Sequence, residues 1–319
     1  MAFNVTLATA LKTGSVLVKP RGGIAMGETV GFVGVGLMGH GMAKNIVEKG
    51  YPLTVIAHRN RAPVEDLVGR GAVEVATLEE MGATCSIIFL CLTASPEVAA
   101  VVARLKPVLA TGSVIVDCST SDPTVTLQLA AELAAVGVGF VDAPLSRTPK
   151  EAWAGTLDCM VGASDTEFAR LQPVIACFAG KIVHIGAVGD GHKMKLLNNF
   201  LSLGYGALYA EALALSRKVG IPVAKFDSVI RGGRMDCGFY QTFMGYALEG
   251  NREAHRFTLT NAHKDMRYVE AMANAATVAT PLASAIKNSY AHAVASGSNG
   301  AEDYVPHLAD VIAKANGAA

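Results

Sequence analysis

Thr29–Arg59, TVGFVGVGLMGHGMAKNIVEKGYPLTVIAHR, is the most informative stretch of this 319-residue chain. Thr29–Val33 is apolar and β-prone, as a buried strand is. Gly34-Val35-Gly36-Leu37-Met38-Gly39 then turns into an amphipathic helix that runs to about Glu48 and stops at Gly50; Leu53–Ala57 supplies a second strand. In such a unit Gly34 permits the tight turn, Gly36 lets the backbone approach a pyrophosphate, and Gly39 lets helix and strand pack closely. The N–H groups at the helix start, around Leu37 and Met38, then point at a phosphate. Glycines at that spacing alone are a weak signal. With strand, turn, helix and strand all in place they read as a dinucleotide-binding fingerprint rather than a structural turn.

The end of the second strand bears on which dinucleotide. A site for NAD often places a carboxylate there to hold the ribose 2′-hydroxyl. This chain has His58-Arg59-Asn60-Arg61 instead. A guanidinium fork suits a 2′-phosphate, which points to NADP as the preferred cofactor and NAD as the alternative. Arg59 is the first candidate clamp, with His58, Asn60 and Arg61 beside it; the competing reading is a solvated basic turn.

The alternation of strand and helix continues. Cys85–Leu92 is a buried-strand candidate whose end, at Leu92, falls on the cofactor side. Ser113–Val116 runs into Asp117-Cys118-Ser119-Thr120, and Val138–Val141 into Asp142-Ala143-Pro144-Leu145-Ser146-Arg147-Thr148. Strand ends of this kind line the crevice of a doubly wound sheet, so Ser119 is placed either to meet a substrate or to cap a helix. Ser146 and Thr148 are hydroxyl donors, and Arg147 can hold an acid group through two bonds; elsewhere the same loop would be a surface turn. Gly155–Val161 and Lys181–Ile185 read as edge strands.

Gly189–Arg217, GDGHKMKLLNNFLSLGYGALYAEALALSR, lacks proline and reads as one long helix joining two domains. Met194, Leu197, Leu201, Leu208, Ala212 and Leu215 form an apolar face, and Lys195, Asn199 and Ser202 a polar stripe. Beyond Gly220-Ile221-Pro222, helices are expected near Val223–Val229, Phe239–Leu248, Thr258–Ala273, Pro281–Ala295 and Ala301–Ala315. The fold class is therefore α/β: an N-terminal Rossmann-like doubly wound domain, and a C-terminal all-helical domain joined to it by a long central helix. The divisions fall at 1–27 for an N-terminal extension, 28–188 for the nucleotide-binding domain and 189–319 for the helical domain.

Composition narrows the function classes. A hydrophobic fraction of 51% with net charge +0 excludes a disordered chain and argues against a nucleic-acid partner. No apolar run is long enough and free enough of polar groups to span a membrane. Six cysteines without a CxxC pair read as small core residues in a reducing compartment, the cytoplasm, and no spacing of His, Cys, Asp and Glu demands a metal. The first 27 residues carry Lys12, Lys19 and Arg21 and no acid, without the apolar core of a signal peptide. They read as an extra tail or an upstream start before Met26 rather than a targeting segment.

Taken together, GFVGVGLMGHGMAKNIVEKG, DCST, DAPLSRT with AGTLDCMVG, GDGHKMKLLNN and FTLTNAHKDM, in that order from about Gly31 to Asp265, resemble the β-hydroxyacid dehydrogenase family, the group of 3-hydroxyisobutyrate dehydrogenase. The resemblance implies a catalytic role for Lys195, with Asn199 ordering substrate and lysine and Asn198 lining the site beside it. It implies Ser119 as the substrate-side serine, Lys264 as a lysine closing over the cofactor side, and Asp265 as the residue that orients that segment. It also implies a homodimer or homotetramer built by the helical domain. One departure stands out: where many relatives have Ser-Gly-Gly, this chain has Ser146-Arg147-Thr148. The Arg-Thr pair is similar to the sulfolactaldehyde reductase branch, where it helps hold a sulfonate; that branch resembles an NADH enzyme, at odds with Arg59 and Arg61. The expectation is an NADPH-dependent, reversible reductase of a short acidic semialdehyde, with sulfolactaldehyde and succinic semialdehyde as leading substrates. The alternatives are a 3-hydroxyisobutyrate or tartronate semialdehyde-type dehydrogenase, an imine reductase-like enzyme, and a non-catalytic NADP-binding module.

Overall fold

A computed structural model describes residues 27–297 and 303–318. The expected N-terminal extension lies, apart from Gly27, outside the described residues, as do residues 301–302 of the last expected helix. Six parallel strands form the body of one sheet: β1 (Val30–Val33), β2 (Leu53–Ile56), β3 (Val73–Val75), β4 (Ile87–Leu90), β5 (Val114–Asp117) and β6 (Gly139–Asp142). Their order across the sheet is β3-β2-β1-β4-β5-β6, so the winding reverses between β1 and β4. Ligand crevices open outside the carboxyl ends of the strands at such a point. Beyond β6 come β7 (Leu145–Ser146), β8 (Leu157–Gly162) and β9 (Ala179–Gly186), with β8 antiparallel to β6 and β7 and parallel to β9.

Both faces of this sheet are covered, which is why its strands read as continuous apolar runs. Ile87 and Phe89 enter one core while Ile88 and Leu90 enter the other, as the two-residue period of a strand requires. Strand β3 carries no such signal: it is three residues long and two of them are exposed. The helices Ala62–Gly69, Leu78–Thr84 and Asp165–Ile175 are short and similarly faint in the sequence, the last having Pro173 inside it.

The central helix spans Asp190–Lys218, and Val223–Ile230, Gly238–Ala247, Leu259–Ala275, Pro281–Ala295 and Leu308–Ala315 make up the rest of the helical domain. The last begins later than expected because Pro306 sits in a 3-10 turn at Val305–His307. One expectation is corrected. The face that packs into the helical core carries Leu196, Leu203, Ala207, Ala210 and Leu213, whereas Met194, Leu197, Leu201, Leu208 and Leu215 are exposed, Leu208 by 63%. Close approach chose the buried face. A Cβ added at Gly206 would stand 2.8 Å from the Tyr290 hydroxyl oxygen, so only the face bearing small residues lets the neighbouring helices in. Among the described residues no helix is long and apolar enough to cross a membrane, and no three His, Cys, Asp or Glu side chains are grouped as metal ligands would be.

Candidate active site

The first lip of the cleft is the loop after β1. Gly34 has φ +97°, and a Cβ there would lie 2.2 Å from the Cys91 carbonyl oxygen; one on Gly39 would lie 2.0 Å from that of Gly34. Those two glycines are demanded by the protein's own packing. At Gly36, which is exposed, an added Cβ would meet nothing within 4 Å, so the protein's own packing does not demand a glycine there. The helix that follows, Gly39–Glu48, has neither a side-chain cap nor an acid in its first turn. Its leading N–H groups therefore face the opening flanked by Leu37 and Met38, which fits the pyrophosphate of a dinucleotide.

At the end of β2 the four candidates for the ribose side separate. Asn60 Oδ1 accepts from the Ala62 N–H at 3.1 Å and so starts the next helix. Arg61 pairs with Glu74 at 3.0 Å and with Glu65 at 3.5 Å. Arg59 is exposed and has no hydrogen bond or ion pair among the described residues, and His58 beside it is exposed as well. Of the two guanidinium groups, only that of Arg59 is uncommitted.

The floor is made by the ends of β4, β5 and β6. Ser119 is buried: its hydroxyl oxygen accepts from the Leu92 N–H at 2.9 Å, while its own N–H donates to Asp117 Oδ1 at 2.9 Å. The hydroxyl proton of Ser119 is left to donate. Asp142, fully buried, accepts from the N–H groups of Gly189 at 2.6 Å and His192 at 2.7 Å, capping the central helix from the end of β6. Burial raises its carboxyl above the usual range, against the pull of those N–H groups. The buried His192 ring adds hydrogen bonds with the Thr126 hydroxyl (2.8 Å) and the Ser119 carbonyl (3.2 Å). The central helix thus starts where two strands stop and is fixed to both. Sequence reading did not single out Asp142 or His192; the available signal was a helix opening on Gly189, which has no side chain to cap it.

One turn into that helix sits Lys195, partly buried and, among the described residues, without a hydrogen bond or ion pair. Burial pushes its amine down to about 8; the charge of Asp265 works against this and that of Lys264 with it. Asn199, one further turn along, is buried and donates to Asp265 Oδ2 at 2.6 Å, with Asn198 Nδ2 at 3.5 Å from Asn199 Oδ1. Lys264 crosses the seam. Its ammonium donates to the carbonyls of Thr93 (2.6 Å) and Thr120 (3.2 Å), after β4 and β5, and lies 3.1 Å from Asp265 Oδ1. Lys264 thus ties the helix that carries Asp265 to the ends of two strands.

The loop after β6 departs from expectation. The Thr148 hydroxyl and N–H both go to Glu151, capping the helix Pro149–Ala154, so this residue is engaged in capping rather than offered to a ligand. Ser146 pairs within the sheet opposite Asp158. Arg147 has φ +85°, a conformation natural to glycine, and its Nε lies 3.1 Å from Asp158 Oδ1 with the side chain half exposed. The capped helix is itself fastened to the dinucleotide helix, since Asn45 Nδ2 donates to the carbonyls of Ala152 (2.9 Å) and Trp153 (3.2 Å). Loop and cradle are therefore tied directly to one another.

A dinucleotide cradle at the switch point of a parallel sheet, with a helical domain bonded to the strand ends beside it, is the working arrangement of an NAD(P)-dependent oxidoreductase. Comparison with known proteins agrees: residues 29–186 match the NAD binding domain of 6-phosphogluconate dehydrogenase, and residues 189–307 match the NAD-binding region of NADP-dependent 3-hydroxyisobutyrate dehydrogenase. The chain belongs to the β-hydroxyacid dehydrogenase family, in its 3-hydroxyisobutyrate dehydrogenase-like group. It is 29% identical over 285 residues to the 3-sulfolactaldehyde reductase of Escherichia coli, covering 88% of this chain and 95% of that one. It is 30% identical over 266 residues to the chloroplastic glyoxylate/succinic semialdehyde reductase 2 of Arabidopsis thaliana, covering 82% and 74%. In fold it is similar to a Mycobacterium tuberculosis 3-hydroxyisobutyrate dehydrogenase solved with L-serine, at a TM-score of 0.80 and 24% identity, covering 89% and 99%.

Proposed function

We propose that the protein is an NADPH-dependent reductase of a short semialdehyde bearing an acid group, working reversibly on the corresponding hydroxy acid. The observation that carries this is the amine of Lys195: partly buried, unpartnered, lowered to about 8, and set on a helix anchored to the strand ends. A bound nicotinamide supplies the hydride. In the reducing direction the ammonium of Lys195 hydrogen-bonds the carbonyl oxygen, stabilises the negative charge that develops there, and gives up its proton. Asn199, held by Asp265, orders the oxygen and the amine. Ser119 has a hydroxyl proton to donate, and Asn198 and Ser146 line the acid end with it. Arg147, itself half exposed, would have to leave its contact with Asp158, whose Oδ1 is buried, to place a charge-assisted fork on a carboxylate or sulfonate.

The names of the relatives support a sulfonate or carboxylate semialdehyde, and the uncommitted guanidinium of Arg59 supports NADPH. The same reading divides the chain at residues 28–188 and 189–319 and makes it a homodimer or homotetramer, which would cover the exposed stripe on the central helix. The test is NADPH consumption with sulfolactaldehyde, succinic semialdehyde, tartronate semialdehyde and glyoxylate, for the wild type and Lys195→Ala. Turnover of at least one acid by the wild type, and its loss in a variant that still binds nucleotide, is the expected result. Nucleotide binding without turnover of any of the four would reject the assignment.

A further inference from the structure

The helix Ser95–Leu105, which follows β4, begins without a cap of its own. Ala94 stands at its N-cap position and makes no side-chain bond, and Pro96 has no N–H, so the N–H of Ser95 needs a partner from elsewhere. It finds one 173 residues away in the helical domain, where the Tyr268 hydroxyl oxygen accepts it at 3.2 Å. Ser95 is buried, and its side-chain oxygen accepts from the Asp122 N–H, in the loop after β5, at 2.7 Å. Leu92 and Ser119 join the same two loops a few residues earlier, at 2.9 Å. Tyr268 is thereby bonded to one loop and, through Ser95, to the other. Lys264 lies one turn before Tyr268 on the helix Leu259–Ala275, with its ammonium 5.6 Å from the centroid of the Tyr268 ring, within cation–π range. That ammonium reaches both loops as well, through the carbonyls of Thr93 and Thr120. Hydroxyl, ring and ammonium meet the two strand ends from one face of one helix.

Sheet order says what belongs there. A dinucleotide crosses the crevice at the reversal of winding, with one mononucleotide half on each side. β2, whose end carries Arg59, lies on one side of β1, and β4 and β5 lie on the other. The adenosine half falls to the Arg59 side, and the nicotinamide half to the loops after β4 and β5. We infer that Tyr268 is a positioning residue for the nicotinamide half: by holding Ser95 and supporting the Lys264 ammonium, it fixes the two loops against which that half lies. The role rests on the nucleotide-binding part of the proposed function and not on the choice of aldehyde.

The test is calorimetric titration of the full chain with each intact nucleotide, NADPH and NADH, and with its adenosine half, 2′,5′-ADP and ADP, for the wild type, Tyr268→Phe and Tyr268→Leu. Tyr268→Phe, which keeps the ring beside Lys264, should weaken the preferred intact nucleotide by about 2- to 12-fold, the yield of one hydrogen bond. Tyr268→Leu, which loses the ring too, should weaken it by about 2- to 5-fold more. Neither should change the affinity for the adenosine half, which a general loosening of the domain would also lower. Unchanged affinity for intact nucleotide in Tyr268→Phe overturns the assignment, as do equal losses for intact nucleotide and half. Should Tyr268→Leu not fold, Tyr268→Phe decides by itself. A wild type that binds nucleotide and reduces no aldehyde rejects the proposed function alone, since these titrations need no turnover; a wild type that binds neither nucleotide overturns both.

Discussion

Replacing Arg147 by glycine separates what this residue does for the fold from what it does for the substrate. At φ +85° an arginine is strained by about 1 kcal/mol relative to glycine, and the substitution relieves that strain while admitting more freedom in the unfolded chain. It also removes the ion pair with Asp158, which is half exposed and contributes about 0–1 kcal/mol. The two terms are of similar size and opposite sign, so stability should change by less than about 1 kcal/mol, or roughly 3 °C in Tm. Binding has no such compensation. Losing hydrogen bonds from a charged group to an acid costs about 1.5–3 kcal/mol, or about 10- to 150-fold in kcat/KM on carboxylate or sulfonate substrates. Thermal unfolding and steady-state NADPH oxidation on the same preparations give both numbers. Asp158→Asn is the companion: freeing the guanidinium should lower KM for the acids. Unchanged kinetics in Arg147→Gly would refute the clamp. A loss of more than about 2 kcal/mol of stability would show instead that the Arg147–Asp158 contact braces the loop.

The pH profile follows from the Lys195 amine at about 8. Reduction needs the ammonium, so its kcat/KM should hold below pH 8 and fall above it, while alcohol oxidation, which needs the free amine, should rise across the same interval; profiles with no inflection between 7 and 9 would remove the lysine from the proton step. Because folding lowers this amine from its ordinary 10.5, the unfolded chain binds the extra proton between about pH 8 and 10.5, and the destabilisation is fully present below 8 and relieved as pH rises through that window. Lys195→Met should therefore be more stable than the wild type at pH 7, with the difference shrinking toward pH 10.5 in denaturant titrations. Arg59→Ala should weaken NADPH binding by at least about tenfold and leave NADH unaffected, measured by fluorescence titration; equal losses for the two would place the clamp elsewhere. Light scattering should give a mass of two or four chains, and Leu208→Asp should lower it; a wild-type monomer would leave the exposed stripe without the partner proposed for it.

Sequence alone determined the architecture, while the role of Lys195 was implied only by the family resemblance. Two periodicities, a glycine-rich turn in its strand–helix setting and an uninterrupted 29-residue helix were local features, legible because strand burial and helix formation impose their spacing on nearby residues. What the tertiary structure decided were the matters in which several local readings were equally good. The central helix carries two leucine-bearing faces, and only the close approach at Gly206 shows which is buried. Arg59 ranks ahead of Arg61 in sequence, but that Arg61 is committed becomes visible only when Glu74, on a neighbouring strand, pairs with it. Thr148 looks like a donor for substrate until Glu151 takes it, and Asp142 looks like an ordinary strand end until it caps a helix 47 residues away. Partners in space, not residue type, settle how a polar side chain is used, because a hydrogen bond or ion pair depends on distances that a linear spacing does not encode.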